Sequence, residues 1–267
     1  LVGALQGLSL KPEVRSESIL VPWRGEIVRG GRVDNILARV PGTDSTGTVL
    51  LAAHYDSVPT GPGAGDDAAG VAAMLEVARL LTEQPVRNDV LLLLTDGEEL
   101  GLLGARAFVR DEALLEEIEA VANFEARGGG GPSLLFETSD NNAWLIDAFS
   151  TAPHPSGNSL AYEVYQRMPN DTDFSVFRRA GLDGLNFGFI DWFTSYHSAI
   201  DTPELLDPRS LQHHGEGLLA LARALGDRDF SEEKPSGNAV FFNLPGVLIR
   251  YPAGLALPLA LLGALIL

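Results

Sequence analysis

Asp89–Thr95 reads Asp-Val-Leu-Leu-Leu-Leu-Thr, an apolar run with no polar face, and it constrains the fold more than any other stretch of the chain. A half-exposed strand would alternate, so this one is expected to be covered on both faces, as in a parallel sheet flanked by helices. The surrounding pattern agrees. Val33–Val40, Thr48–Ala53, Ala120–Phe124, Ser133–Phe136 and Gly184–Ile190 read as further strands. Ala68–Leu81, Leu100–Arg110, Asn142–Thr151, Thr172–Ala180 and Ser210–Leu225 read as helices. Strands alternating with helices predict an α/β fold with a mixed, largely parallel central sheet and helices on both faces.

The ends of these strands carry the chemistry. His54 and Asp56 stand two apart at a strand end, so their side chains share a face. One reading makes His54 a metal ligand and Asp56 the partner that fixes its tautomer; the other is a polar strand terminus. Asp66 opens a helix after a glycine-rich loop, either as a carboxylate bridging two cations or as a helix cap, and Asp67 reads as a cap. Glu98 and Glu99 follow the buried strand, where one acid would bind metal and the other take a proton from water. An acid pair favoured by a helix dipole is the alternative. Glu125 ends another apolar strand, as a metal ligand or as an ion-pair partner for Arg127. His197 would complete a second metal site, with Tyr196 donating to a substrate carbonyl or merely packing. His154, His213 and His214 read as surface histidines, and Asn170–Phe174 as a polar cluster near the site or a set of caps. Together the imidazole and carboxylate groups make the ligand set of a two-metal hydrolase, in which a shared carboxylate holds ions about 3.5–4 Å apart.

Composition narrows the alternatives. The formal charge is −17, which argues against nucleic acid and against an anionic lipid surface for the globular part. There is no Cys, so a metal site must use His and carboxylate, and disulfides are excluded. Asp227–Gly237 reads as a linker. The expected division is a catalytic domain over 1–228, a linker over 229–237 and an apolar segment over 238–267. Tyr251–Leu267 carries no charge, and it is expected to begin a transmembrane region of a longer protein.

Taken in order, the Ala-His-Tyr-Asp-Ser, Gly-Asp-Asp-Ala-Ala-Gly and Glu-Glu-Leu-Gly-Leu-Leu-Gly blocks resemble the di-zinc aminopeptidase family, which has a phosphorylase/hydrolase-like fold. The resemblance implies two zinc ions per chain: His54, Asp66 and Glu125 on one, and Asp66, Glu99 and His197 on the other. It implies Glu98 as general base, Tyr196 as the group polarising the carbonyl, and a cis peptide between Asp66 and Asp67. Most members carry Asp where this chain has Glu125. Asn123-Phe-Glu-Ala-Arg-Gly-Gly and Asp171-Thr-Asp-Phe174 look most like a membrane-bound branch that includes the endoplasmic-reticulum metallopeptidase and the vacuolar membrane protease. The implied protein is a membrane-associated zinc exopeptidase, an aminopeptidase acting on peptides, with its catalytic domain extracytoplasmic. A single-zinc acyl transferase resembling glutaminyl cyclase and a non-catalytic scaffold on the same fold are the rivals. Asp56 beside His54 and retention of every ligand position count against them.

Overall fold

The computed structural model describes residues 1–24, 27–244 and 247–266. Its sheet contains β1 (Glu13–Arg24), β2 (Ile27–Val40), β3 (Thr48–His54), β4 (Asp89–Thr95), β5 (Ile118–Ala126), β6 (Leu134–Thr138) and β7 (Gly184–Phe189), in the order β1-β2-β4-β3-β5-β7-β6. The four central strands β4, β3, β5 and β7 run parallel, while β1, β2 and β6 are added antiparallel at the edges. The mixed, centrally parallel α/β sheet expected from the apolar run is therefore the one observed.

Strand periodicity explains why the central strands have no polar face. On β3, Val49, Leu51 and Ala53 enter one core, while Leu50 and Ala52 enter the other. The first core is closed by α1 (Val2–Gly7), α2 (Ala69–Glu83), α5 (Ala143–Phe149) and α8 (Pro208–Gly226), through Leu5, Met74, Leu145 and Leu221. The second is closed by α3 (Leu103–Phe108), α4 (Glu112–Leu115) and α7 (Asp173–Arg179), through Phe108, Leu114 and Phe177. α6 (Ser159–Tyr165) lies beside β6 and has no buried residue.

Local chemistry sets the helix ends. α8 starts with Pro208 after Asp207, whose side chain accepts the Arg209 amide at 2.9 Å. The helix expected over Leu100–Arg110 forms only from Leu103, because Gly101 (φ 114°) and Leu102 (φ 60°) adopt left-handed conformations that break its first turn.

Residues 229–244 and 247–252, which span the expected linker and the start of the expected apolar segment, make contacts with the domain. Phe230 joins the first core, and Lys234 pairs with Glu119 at 2.8 Å. β8 (Ala239–Leu244) and β9 (Val247–Pro252) form an antiparallel hairpin whose Phe241 and Leu248 enter the same core. Next comes α9 (Ala256–Ile266), whose Leu257, Leu261, Leu262 and Leu265 are exposed. Among the described residues no helix is long and apolar enough to cross a membrane. Pro245, Gly246 and Leu267 of the expected apolar segment lie outside the described residues.

The topology also places the site. β3 has β4 on one side and β5 on the other, so the connections leaving their carboxyl ends diverge. A crevice opens where they part, the usual ligand position of an open α/β sheet. His54, the loop after Thr95, and Glu125 all stand there.

Candidate metal centre

His54 is the last residue of β3 and is only 1% exposed. Its Nδ1 donates to the Asp56 carbonyl at 2.9 Å, which leaves the Nε2 lone pair facing the crevice. Nε2 is 3.0 Å from Asp66 Oδ1 and 3.4 Å from Glu125 Oε2. The other oxygen of Asp66, Oδ2, is 3.2 Å from His197 Nε2, which is itself 3.0 Å from Glu99 Oε1. One carboxylate thus turns an oxygen to each of two His-and-acid clusters. The structure brings together every residue the sequence nominated as a metal ligand.

The loop carrying Asp66 is held from behind. Asp201, which the sequence reading did not single out, accepts the amides of Gly65 at 2.7 Å and Asp66 at 3.2 Å. Its position four residues past His197 was the available signal. The peptide between Asp66 and Asp67 is cis, as the resemblance implied. Asp67 also lies within reach of His54 and Glu125. Its oxygens, however, take the His54 amide at 3.3 Å and the Gly70 amide at 3.1 Å, so its work is to cap α2 and hold β3. A Cβ on Gly70 would stand 2.5 Å from Asp67 Oδ1, and this close approach accounts for the glycine there.

Asp56 does more than orient a ring. Its carboxylate is 3.5 Å from His54 Nδ1, and the same group accepts the amides of Glu98 at 3.0 Å and Glu99 at 3.3 Å. It therefore ties the turn after β4 to the end of β3. Burial opposes its ionisation, but His54 and those two amides outweigh burial and hold its pKa below the usual aspartate value.

The electrostatics are those of crowded acid. Burial, with Asp66 close by, pushes Glu99 up to about 7. Burial, with Glu125 and Asp173 near, raises Glu98 well above the ordinary glutamate value. Asp173, under the site and bonded to Thr95 Oγ1, is pushed up to about 7 by burial and Glu125. Burial disfavours charge on His54, yet Glu125, Asp56 and Asp66 together raise its pKa well above the imidazole value. Glu99 Oε1 and His197 Nε2 are close but not aligned for a hydrogen bond, so Glu99 Oε1 is buried with no donor among the described residues. Two imidazoles, several carboxylates and a buried oxygen lacking a donor fit a divalent cation bound by N and O ligands.

Glu125 is supported by a polar chain across three strands. Asn123 Nδ2 donates to Glu125 Oε1 at 3.2 Å and to Asn186 Oδ1 at 3.0 Å, and Asn186 Nδ2 donates to Glu137 Oε2 at 3.0 Å. Arg127 instead reaches Asn170 and the face of Tyr196. The Tyr196 ring stacks on His197 with centroids 3.7 Å apart. Both face a cavity of about 1140 Å³ that is also bounded by Asp66, Glu98, Glu99 and Glu125. Thr172 and Asn170 line it too, so part of the polar cluster expected near the site is there, while Asp173 is buried beneath.

The surface reading fails for His214. It is fully buried, its ring edge-on to Phe124 and Phe189, with Ser133 Oγ at 2.8 Å from Nδ1. Burial, with His213 near, lowers its pKa to about 3, so it stays neutral in the core. His213 accepts the Ser133 amide at 2.9 Å and lies outside the metal centre.

The profile of peptidase family M28 matches residues 35–222, a span holding every residue of the centre. The chain belongs to peptidase family M28. Relatives within reach of this M28 chain include Endoplasmic reticulum metallopeptidase 1 of Mus musculus, 35% identical over 83% of this chain and 26% of that protein. The Vacuolar membrane protease of Eremothecium gossypii is 33% identical over 90% of this chain and 24% of that protein. The chain spans about a quarter of the length of these relatives. The fold is shared with the zinc aminopeptidase BSAP of Bacillus subtilis, at 24% identity and TM-score 0.60 over 78% of this chain and 55% of that one. It is equally shared with the glutaminyl cyclase of Porphyromonas gingivalis, at 23% identity and TM-score 0.63 over 82% of this chain and 85% of that one.

Proposed function

We propose that this chain is a zinc-dependent aminopeptidase that holds two ions. His54, Asp66 and Glu125 bind one, and Asp66, Glu99 and His197 bind the other. The observation that carries this reading is Asp66, whose two oxygens stand 3.0 Å from His54 Nε2 and 3.2 Å from His197 Nε2. A single-ion site of the acyl-transferase kind has no need of an acid shared between two histidines.

Zinc in these positions supplies Lewis acidity toward a peptide carbonyl and lowers the pKa of water. The remaining work falls to the chain. Glu98 lines the cavity beside the ligands but belongs to neither His cluster. It takes a proton from the attacking water and passes it to the amide nitrogen as the C–N bond breaks, so that an amine and a carboxylate leave. Asp56 holds the Glu98–Glu99 turn through the two amides, and the Tyr196 hydroxyl donates to the carbonyl oxygen. Replacing Glu98 with Gln while measuring both zinc content and hydrolysis of aminoacyl amides tests the assignment. Unchanged zinc with a rate lower by about 10²–10⁴-fold is expected; lost zinc or a normal rate contradicts it.

The names of the relatives and the exposed leucines of α9 support a second part of the proposal: the domain sits against a membrane by its α9 end, on the extracytoplasmic side. Because β8–β9 packs on the core, the catalytic unit is 1–252 rather than 1–228. Residues 1–252 should stay active without detergent, and the 1–267 chain alone should float with neutral lipid vesicles. Equal flotation of both forms contradicts the assignment to α9.

A further inference from the structure

Arg127 is an unusual cation in this chain. With 36 acidic residues against 19 basic ones, arginines find carboxylates easily. Arg39 pairs with Asp89 at 2.8 Å and with Glu117 at 2.7 Å, and Arg79 pairs with Glu76 and Glu83, each at 2.7 Å. Arg127 stands two residues past Glu125, half-buried in the cavity wall, and no carboxylate among the described residues pairs with it. Its Nη2 makes one long bond of 3.4 Å to the neutral Asn170 Oδ1, and its guanidinium lies 4.9 Å from the Tyr196 ring centroid. Arg106, also in the cavity wall, donates among the described residues only to the Gly101 carbonyl at 3.1 Å. Yet acids crowd the metal centre a short step away, and the rest of the wall includes apolar Phe136, Val164, Met168 and Ile190.

A guanidinium offers five donors in a planar fork that matches a carboxylate, and most of those on Arg127 have no acceptor among the described residues. Its position relative to the centre sets the distance at which an anion would be met. Arg127 lies over Tyr196, and Tyr196 lies on His197, so the three form a continuous row leading away from the metal ligands. An extended peptide advances about 3.3–3.6 Å per residue. The two steps of that row, 4.9 Å and 3.7 Å, span no more than about two to three residues of extended chain.

Resting on the peptidase reading above, we propose that Arg127 binds a carboxylate of the substrate on the leaving side of the cleaved bond. The preferred substrates are then very short peptides whose carboxylate, C-terminal or on an acidic side chain, stands within two residues of that bond. Asn170 holds the guanidinium in place, and the Tyr196 ring covers one of its faces.

The test is binding of uncleavable ligands to the zinc-loaded chain by calorimetry. The probes are the reduced-bond isostere of Leu-Gly as the free acid and as the amide, together with the isosteres of Leu-Glu-amide and Leu-Gln-amide. The acid of at least one pair should bind about tenfold or more tightly than its neutral partner, the advantage of a charge-assisted pair. That advantage should vanish in Arg127→Met and return in part in Arg127→Lys. Whichever pair shows the Arg127-dependent advantage identifies the source of the carboxylate. Equal binding within both pairs by the unsubstituted chain overturns the proposal without any variant, as does an advantage that survives Arg127→Met. An unsubstituted chain that keeps the advantage yet cleaves no peptide would refute the aminopeptidase reading alone.

Discussion

The two halves of the proposed metal centre are built differently. His54 and Glu125 stand on β3 and β5, adjacent parallel strands in the middle of the sheet, and both are buried. Glu99 and His197 stand on connections: one on the turn after β4, the other in a loop where its backbone takes a left-handed φ of 55° and its side chain is 36% exposed. The strand-held groups are fixed by the packing of two cores, whereas the loop-held groups depend on a few polar ties such as Asp56 to the Glu98 amide. One half should therefore keep its ion when the other gives it up, with Asp66 common to both.

The largest effect should come from removing what the halves share. Asp66→Ala is expected to abolish hydrolysis and to leave at most one ion per chain; a variant that keeps both ions breaks the comparison. Chelator titration of the unsubstituted chain should release zinc in two phases, and Glu99→Ala should remove the fast phase, whereas Glu125→Ala should remove the slow one. A single phase would mean that the halves are not distinct. Asp201→Asn, which loosens the loop behind Asp66, should weaken metal affinity by about 10–100-fold, the range for an outer support of a ligand.

The smallest effect is that of pH on the metal-free chain. Glu99 and Asp173, each pushed up to about 7, bind protons in the folded state that the unfolded chain has released by then. A raised acid pKa therefore favours the fold below the ordinary carboxylate range, and the advantage falls as pH rises toward 7. His54 and His197, also raised, act in the same direction because the unfolded imidazoles lose their protons first. Melting temperature without metal should drop between pH 5 and 7, and zinc should restore more at the higher pH. A metal-free melting temperature that rises across this window contradicts the acid crowding.

What was legible in the sequence follows from the same division. His54, Glu98, Glu99 and Glu125 sit at or just past the ends of apolar runs, so the strand pattern places them at one end of the sheet, whereas Asp66 follows a glycine-rich loop and is marked only by opening a helix. His197 lies in a stretch without periodicity, and only its order behind the other motifs suggested it. The β1 strand was missed because the charged Glu13, Arg15 and Glu17 share a face with the buried Ile19 and Val21, while Val14 and Leu20 are exposed, leaving no clean alternation to read. The burial of His214 was missed for a different reason: on α8 it faces Phe124 and Phe189 of two distant strands, a contact no local pattern encodes. The role of Asp56 was half legible, since two-residue spacing puts it beside His54 but does not show the Glu98 and Glu99 amides it holds.

In the proposed centre Asp66 joins two ions. Anomalous diffraction at the zinc edge, from crystals of the zinc-loaded chain, tests this directly. Two peaks about 3.5–4 Å apart, with Asp66 between them, are predicted. One peak beside His54, with Glu99 and His197 contacting only each other, would contradict it.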